Sequence, residues 1–240
     1  NLNFPSPQTS LGYWQLSKAC EGLSKACLSL NTPVTGGNVS LYNETRLPDG
    51  LIKPIHPTPV IGMVGLVNDL DKVIGQSWMQ DSDLIFILGS DQLDLGNSST
   101  TLAASSYLEI IHDLVKGRPP EIDLELEKSI QLFLRNSIKQ NFLNSAHDIS
   151  DGGLCVALSE CSISSNFGAE ILLKSKDLRI DKLLFAEGSS RIIISIDPKK
   201  LDLVLTLLHE HNKNVNKIIS LQKIGTVTSK KNIVINHNQK

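Results

Sequence analysis

Between Thr32 and Thr45 the chain reads TPVTGGNVSLYNET, and this stretch restricts the fold more than any other. Pro33 ends the helical pattern before it, and Val34 leads straight into a loop with two adjacent glycines. Gly36 and Gly37 free the backbone to take φ > 0 and to approach a ligand closely. Successive N–H groups in such a turn form a concave nest that favours anions, phosphate above all. Asn38 adds a neutral oxygen suited to Mg²⁺, Ser40 a hydroxyl donor and Glu44 a carboxylate. On residue chemistry alone two readings stand: a phosphate and metal cradle, or an ordinary Gly-Gly turn with Asn as turn former.

Around this loop the periodicity changes several times. Leu16, Ala19, Leu23, Ala26 and Leu30 recur at helical spacing and predict a helix over Thr9–Leu30. Pro48, Pro54, Pro57 and Pro59 with Asp49-Gly50 mark Arg46–Pro59 as a surface excursion, and Val60–Val67 reads as an apolar strand. A second unit is expected from about Gln80, with a buried strand at Leu84–Leu88 and a polar loop over Ser90–Thr101. Helices are predicted over Ala103–Lys116, Asp123–Phe142 and Ser150–Cys161. Another should run from the Asp197-Pro198 cap to about Glu210, before strands at Ile218–Val227 and Ile233–Ile235. The order is mixed rather than strictly βαβ, so the expected class is α+β with a mixed sheet.

Charge and composition exclude several functions. A formal charge of −2 with interspersed signs offers no basic face to nucleic acid. No apolar run approaches the roughly 18 residues that span a membrane, and no signal peptide opens the chain. The four cysteines include no CxxC; Cys20, Cys27, Cys155 and Cys161 read as buried free thiols of a reducing, cytoplasmic compartment. GxSxG, GxxxxGK[ST] and Cys/His signatures are missing, so neither a hydrolytic nucleophile nor a P-loop is expected.

TPVTGGNVSLYNET followed by HPTPVIGMVGLVNDLDKV resembles the synthetase subunit of phosphoribosylformylglycinamidine synthase, of purine biosynthesis. AHDISDGGLCVALSE (Ala146–Glu160) is similar to that family's later signature, NLNFPSP (Asn1–Pro7) to its NLNFGNP-type segment and LLFAEGSSRIIISI (Leu183–Ile196) to its LFSESQSR-type segment. The matches keep the family's order as far as about Val227. The resemblance implies two tandem copies of an aminoimidazole-ribonucleotide-synthetase-like unit, each a barrel-forming N-terminal half and an α/β C-terminal half. Residues 1–78 then correspond to the last part of the second N-terminal half, 79–230 to the second C-terminal domain, and 231–240 to a polar tail. The chain starts at Asn1 without methionine, inside a motif, and reads as the back half of something longer.

The implied activity is an ATP-dependent carbon–nitrogen ligation. ATP phosphorylates the amide oxygen of formylglycinamide ribonucleotide, and ammonia from glutamine displaces phosphate to leave the amidine. By this resemblance Gly37 contacts ATP, Asn38 binds Mg²⁺ and Ser40 contacts the ribonucleotide; Gly36 joins the ATP contacts on nest geometry alone. No catalytic residue is assigned, because the family's catalytic histidine belongs to the first copy, and the chain by itself is expected to be inactive. The implied partners are a glutaminase subunit and a small bridging subunit. The alternative is a non-catalytic scaffold or nucleotide-binding module of the same superfamily.

A second constellation surrounds His147-Asp148 and Asp151-Gly152-Gly153. Asp148 and Asp151 either hold a cation or cap a helix while the glycines allow tight packing. Pro5-Ser6 stand where the family has Gly-Asn, Ser189 replaces its Gln, and Leu95–Leu108 departs from its LGGSEY-type loop. These departures imply that the C-terminal half keeps a scaffold role, with Glu187 and Arg191 as a simple ion pair. His209 and His211 read as a solvated helix end, and His56 as structural.

Overall fold

A computed structural model describes residues 1–90, 100–174 and 178–237. Most of the polar loop expected over 90–101, the departures at 95–99 and the last three residues of the tail lie outside that set. The described chain divides into two compact units, Asn1–Asn68 and Asp69–Lys240.

The first unit opens with β1 (Leu2–Asn3) and α1 (Ser10–Leu30), followed by β2 (Val39–Ser40), β3 (Glu44–Arg46), β4 (Ile52–Pro54) and β5 (Thr58–Pro59). Thr9 caps α1, its side chain accepting from the Gly12 N–H at 3.0 Å, and Asn31 ends it at φ 53°. Leu16, Ala19, Leu23, Ala26 and Leu30 form the half-buried face that their spacing predicts, whereas Leu11, Tyr13, Trp14 and Leu28 are exposed. β1 lies at the centre of a three-stranded sheet, parallel to β2 and antiparallel to β5. β3 and β4 pair as a hairpin, so the proline-rich excursion is exposed but partly regular. Val60–Val67 is not a strand. An extended segment becomes one only when a neighbour supplies ladder partners, and pairing stops at Val60, which exchanges hydrogen bonds with Asn1. Beyond it Val64 and Leu66 stand almost fully exposed.

The second unit is built on β6 (Leu84–Ser90), β7 (Ser145–Asp148), β8 (Gly168–Leu173), β9 (Ile192–Ile196), β10 (Ile219–Thr228) and β11 (Ile233–His237). Their order is β11-β8-β10-β6-β9-β7, antiparallel except for the parallel β11–β8 pair. The helices are α2 (Ser106–His112), α3 (Leu124–Lys139), α4 (Gly153–Ile163), α5 (Ile180–Phe185) and α6 (Leu201–Lys213). The Leu84–Leu88 run is apolar throughout because β6 is covered on both faces. Ile85 and Ile87 pack with Leu154, Leu158 and Leu183 of α4 and α5, while Phe86 and Leu88 pack with Ile130, Phe133 and Val204 of α3 and α6. The class is α+β with a mixed sheet, as expected.

Several helix bounds shift from the expected ones, two of them for reasons visible in the backbone. α2 covers only half of Ala103–Lys116, because Ala104 at φ 55° precedes the Ser105 cap and Asp113 at φ 52° ends the helix. The Asp197-Pro198 pair starts a short 3-10 turn, Pro198–Lys200, before α6 begins. Among the thiols, Cys161 is buried and pushed up to about 12 by desolvation, which makes it inert, but Cys20 is exposed.

His211 is not solvated. It lies 8% exposed against Phe133, ring centroids 5.6 Å apart, with Nε2 at 2.9 Å from Ser129 Oγ. Ser129 Oγ donates its single proton to the Lys217 carbonyl at 2.9 Å, so Nε2 must carry the proton that Ser129 accepts. Burial lowers the His211 pKa below its ordinary 6.5. The unfolded chain therefore binds more protons just below pH 6.5, so the neutral imidazole's contribution is complete above that pH and lost as pH falls toward the folded pKa. Denaturant midpoints should drop as the pH is lowered through this window, and the drop should shrink in His211→Gln. An unchanged pH slope in that variant would assign the effect to other groups.

Candidate functional site

The glycine loop and the first strand form one structure. Leu2 N donates to Asn38 O at 2.9 Å, Phe4 N to Ser40 O at 3.0 Å, and Asn38 N to Asn1 Oδ1 at 3.2 Å. The NLNF and GGNVS motifs, far apart in sequence, are thus adjacent strands. A cavity of about 600 Å³ opens beside them. Leu23, Ala26, Cys27 and Leu30 of α1 line one wall, Gly36–Val39 another, and Val60–Val64 a third. This combination of apolar walls and a rim of exposed backbone suits a ligand with a flat apolar part and a charged end.

The geometry corrects two local expectations. Neither Gly36 nor Gly37 has a left-handed φ, so the αR–αL turn of a nest is not formed at these glycines. A Cβ would meet nothing within 4 Å at Gly36, and at Gly37 only Asn1 N at 3.7 Å. Ser40 is also not a free donor, because its Oγ donates to Asn43 Oδ1 at 3.0 Å. Asn43 received no role from sequence, yet it gathers the site: Nδ2 donates to Ser40 O at 2.8 Å and to Phe4 O at 3.2 Å. Its backbone N–H donates to Phe4 O and its carbonyl accepts from Ile55 N. Tyr42 at φ 61° turns the chain so that Asn43 can reach back.

The donor set for a cation is sparse. Among the described residues no group of three or more His, Cys, Asp or Glu is placed to hold a metal ion. Asn38 supplies one neutral carboxamide oxygen in an exposed position. That fits an ion held chiefly by phosphate oxygens and water, the usual manner of Mg²⁺, and does not fit an all-protein cage.

The second constellation is built differently from either sequence reading. α4 is capped by Gly152 at φ 76°, with no side-chain cap, so neither Asp148 nor Asp151 fills that role. Instead Glu187 Oε1 accepts from Gly152 N at 2.8 Å and from Ser106 N at 2.9 Å. Arg191 is buried, and its Nη2 donates to the Ala186 carbonyl at 2.8 Å. Desolvation pulls the guanidinium down to about 10, opposed by the Glu187 charge. Glu187 and Arg191 thus each brace backbone, in place of the direct ion pair expected between them. His147 sits between carboxylates, Nε2 at 2.7 Å from Glu160 and Nδ1 at 3.3 Å from Asp148. The tight packing expected of the glycines holds, since a Cβ on Gly153 would come within 2.8 Å of the Ala186 carbonyl.

This fold and these motifs place the chain in a known class. The family described as AIR synthase related protein, C-terminal domain, matches residues 80–238, and the chain belongs to it. The chain is also 56% identical over 237 residues to phosphoribosylformylglycinamidine synthase subunit PurL of Prochlorococcus marinus (strain MIT 9303), covering 98% of this chain and 30% of the relative. It is 49% identical over 229 residues to the PurL subunit of Cyanothece sp. (strain PCC 7425 / ATCC 29141), covering 95% of this chain and 29% of that one. The chain therefore spans about 30% of the length of these curated relatives. Among solved structures, T. maritima PurL complexed with ATP superposes at TM-score 0.60 with 15% identity, over 92% of this chain and 33% of that one. At that identity the likeness shows the fold.

The glycines separate packing from ligand approach. Gly153→Ala should cost about 2 kcal/mol or more, from the strained φ of 70° and the backbone clash. Gly36→Ala should leave stability unchanged or raise it by up to about 1 kcal/mol, since its backbone is unstrained and its surroundings open. Denaturant unfolding of the two variants checks both; a destabilised Gly36→Ala would refute the open, unstrained position of Gly36.

Proposed function

We propose that this chain supplies the ATP and Mg²⁺ loop, and a supporting domain, to an enzyme that converts formylglycinamide ribonucleotide to the amidine. The observation that carries this reading is the intact Gly36–Ser40 motif, laid against the NLNF strand at the rim of an open cavity. The high identity to PurL subunits supports the reaction class. The complexes of T. maritima PurL with ATP, FGAR, ADP and AMPPCP support a nucleotide and a ribonucleotide as ligands.

The reaction requires an amide oxygen to attack the γ-phosphorus of ATP, with ADP as the leaving group, and ammonia then to displace phosphate from the activated carbon. Most of the protein's contribution is positioning and charge stabilisation. In this reading Gly36 and Gly37 let backbone approach the ATP phosphates, because no Cβ stands in the way. Asn38 holds Mg²⁺ through its side-chain oxygen while its backbone stays fixed in the β1–β2 ladder. The ion, when bound, offsets the charge of the phosphoryl oxygens. Ser40 contacts the ribonucleotide. The structure of PurLQS from Thermotoga maritima supports assembly with further subunits, which we assign as a glutaminase that releases ammonia and a small bridging protein. No helix among the described residues is long and apolar enough to cross a membrane.

We assign the second unit a scaffold role. Its cavity of about 450 Å³ is lined by Glu127, Asp148, Asp151 and Glu187 against one cation, Arg191. Arg191 and Glu187 already brace backbone, and the carboxylates disfavour a phosphate.

Asn38→Ala in the complete polypeptide carrying this sequence should raise the Mg²⁺ concentration for half-maximal turnover about tenfold or more. Its unfolding midpoint should barely move, because the hydrogen bonds that fix Asn38 here use its backbone. Unchanged turnover at limiting Mg²⁺ would remove Asn38 from the metal shell.

A further inference from the structure

The protons around Asn43 can be counted. Its Nδ2 faces two carbonyl oxygens, Ser40 O at 2.8 Å and Phe4 O at 3.2 Å, and carbonyls only accept. The amide orientation is therefore fixed: Nδ2 must lie on that side and Oδ1 on the other. Oδ1 in turn only accepts, so the Ser40 hydroxyl at 3.0 Å must be the donor. A serine hydroxyl has one proton and two lone pairs, and here the proton points inward. What Ser40 offers to the exterior is an acceptor.

We propose that Asn43 is a positioning residue that acts through Ser40. It holds the hydroxyl so that this position accepts a hydrogen bond from the substrate instead of giving one. The inference rests on the substrate role assigned to Ser40 above and sharpens it. The group that meets Ser40 is a donor, such as a ribose hydroxyl or an amide N–H, and not a phosphate oxygen. A phosphate would face lone pairs with no proton between them. The same carboxamide ties the glycine loop to the first strand, through Ser40 O and Phe4 O, so the orientation of the hydroxyl is coupled to the strand pairing that also fixes Asn38. Ser40 is exposed and Asn43 half-buried, so the bracket lies at the surface where a ligand can reach it.

The test is a double-mutant cycle in the complete polypeptide carrying this sequence, with formylglycinamide ribonucleotide varied at saturating ATP and Mg²⁺. Ser40→Ala and Asn43→Ala should each raise KM for the ribonucleotide about tenfold, and the double variant also about tenfold, because both remove one interaction. KM for ATP should stay within about twofold, a split that general unfolding of the loop would not give. Asn43→Asp, which keeps an oxygen to receive the Ser40 proton but loses the two donations, should restore KM to within about threefold of wild type while unfolding at a lower temperature. Multiplying effects in the double variant would overturn the proposal, as would an Asn43→Asp that binds ribonucleotide as poorly as Asn43→Ala. If Asn43→Ala does not fold, the Asp variant decides alone. A Ser40→Ala enzyme with unchanged KM would instead remove the substrate role of Ser40 itself, and Asn43's role with it.

Discussion

Burial of both faces of the six-stranded sheet is the constraint on which the second unit depends. A sheet covered on one side can alternate apolar and polar residues, but β6 and the centre of β9 must be apolar at nearly every position. Ile85 and Ile87 face one helical layer while Phe86 and Leu88 face the other. Two polar pairs enter this interior: Ser145 Oγ and Ser195 Oγ lie 2.7 Å apart on neighbouring strands, and both oxygens of the buried Asp83 accept from Asn144. Desolvation raises the Asp83 pKa, and the Asn144 bonds oppose that rise.

The first unit is held by a different balance. Among its residues only Phe4, Pro5 and Gly12 are buried, so little apolar area stabilises it from within. Its order comes from ladder bonds between Asn1–Phe4 and Asn38–Ser40, and from the Asn43 carboxamide that joins the same two segments. The polar groups that fix the loop's conformation are therefore the ones that set its chemistry. Truncating a side chain there changes hydrogen-bond direction more than packing, which is why hydroxyl orientation and metal requirement are informative readouts for it.

How much of this was legible in the sequence depended on the range of the interactions. α1 and its half-buried face, the β6 strand and the Asp197 cap were readable because periodicity and capping are local. The sequence motifs also named the right family. Val60–Val67 failed as a strand because its composition says nothing about whether a neighbour pairs with it. His211 was misjudged because its partners, Ser129 and Phe133, lie on another helix. Asn43 stood inside the recognised motif, but its role depends on Phe4, which only the fold brings near. Gly36 and Gly37 were read through a turn conformation that glycine permits but does not require.

In the proposed function the Gly36–Ser40 loop meets both the metal–nucleotide and the ribonucleotide. A crystal structure of the complete polypeptide carrying this sequence, with a non-hydrolysable ATP analogue, Mg²⁺ and formylglycinamide ribonucleotide, tests it most directly. The account predicts the Asn38 side-chain oxygen within about 2.1 Å of the ion, and a ribose hydroxyl or amide nitrogen of the ribonucleotide at hydrogen-bond distance from Ser40 Oγ. Nucleotide and ribonucleotide bound elsewhere, with this loop facing only solvent or protein, would contradict it.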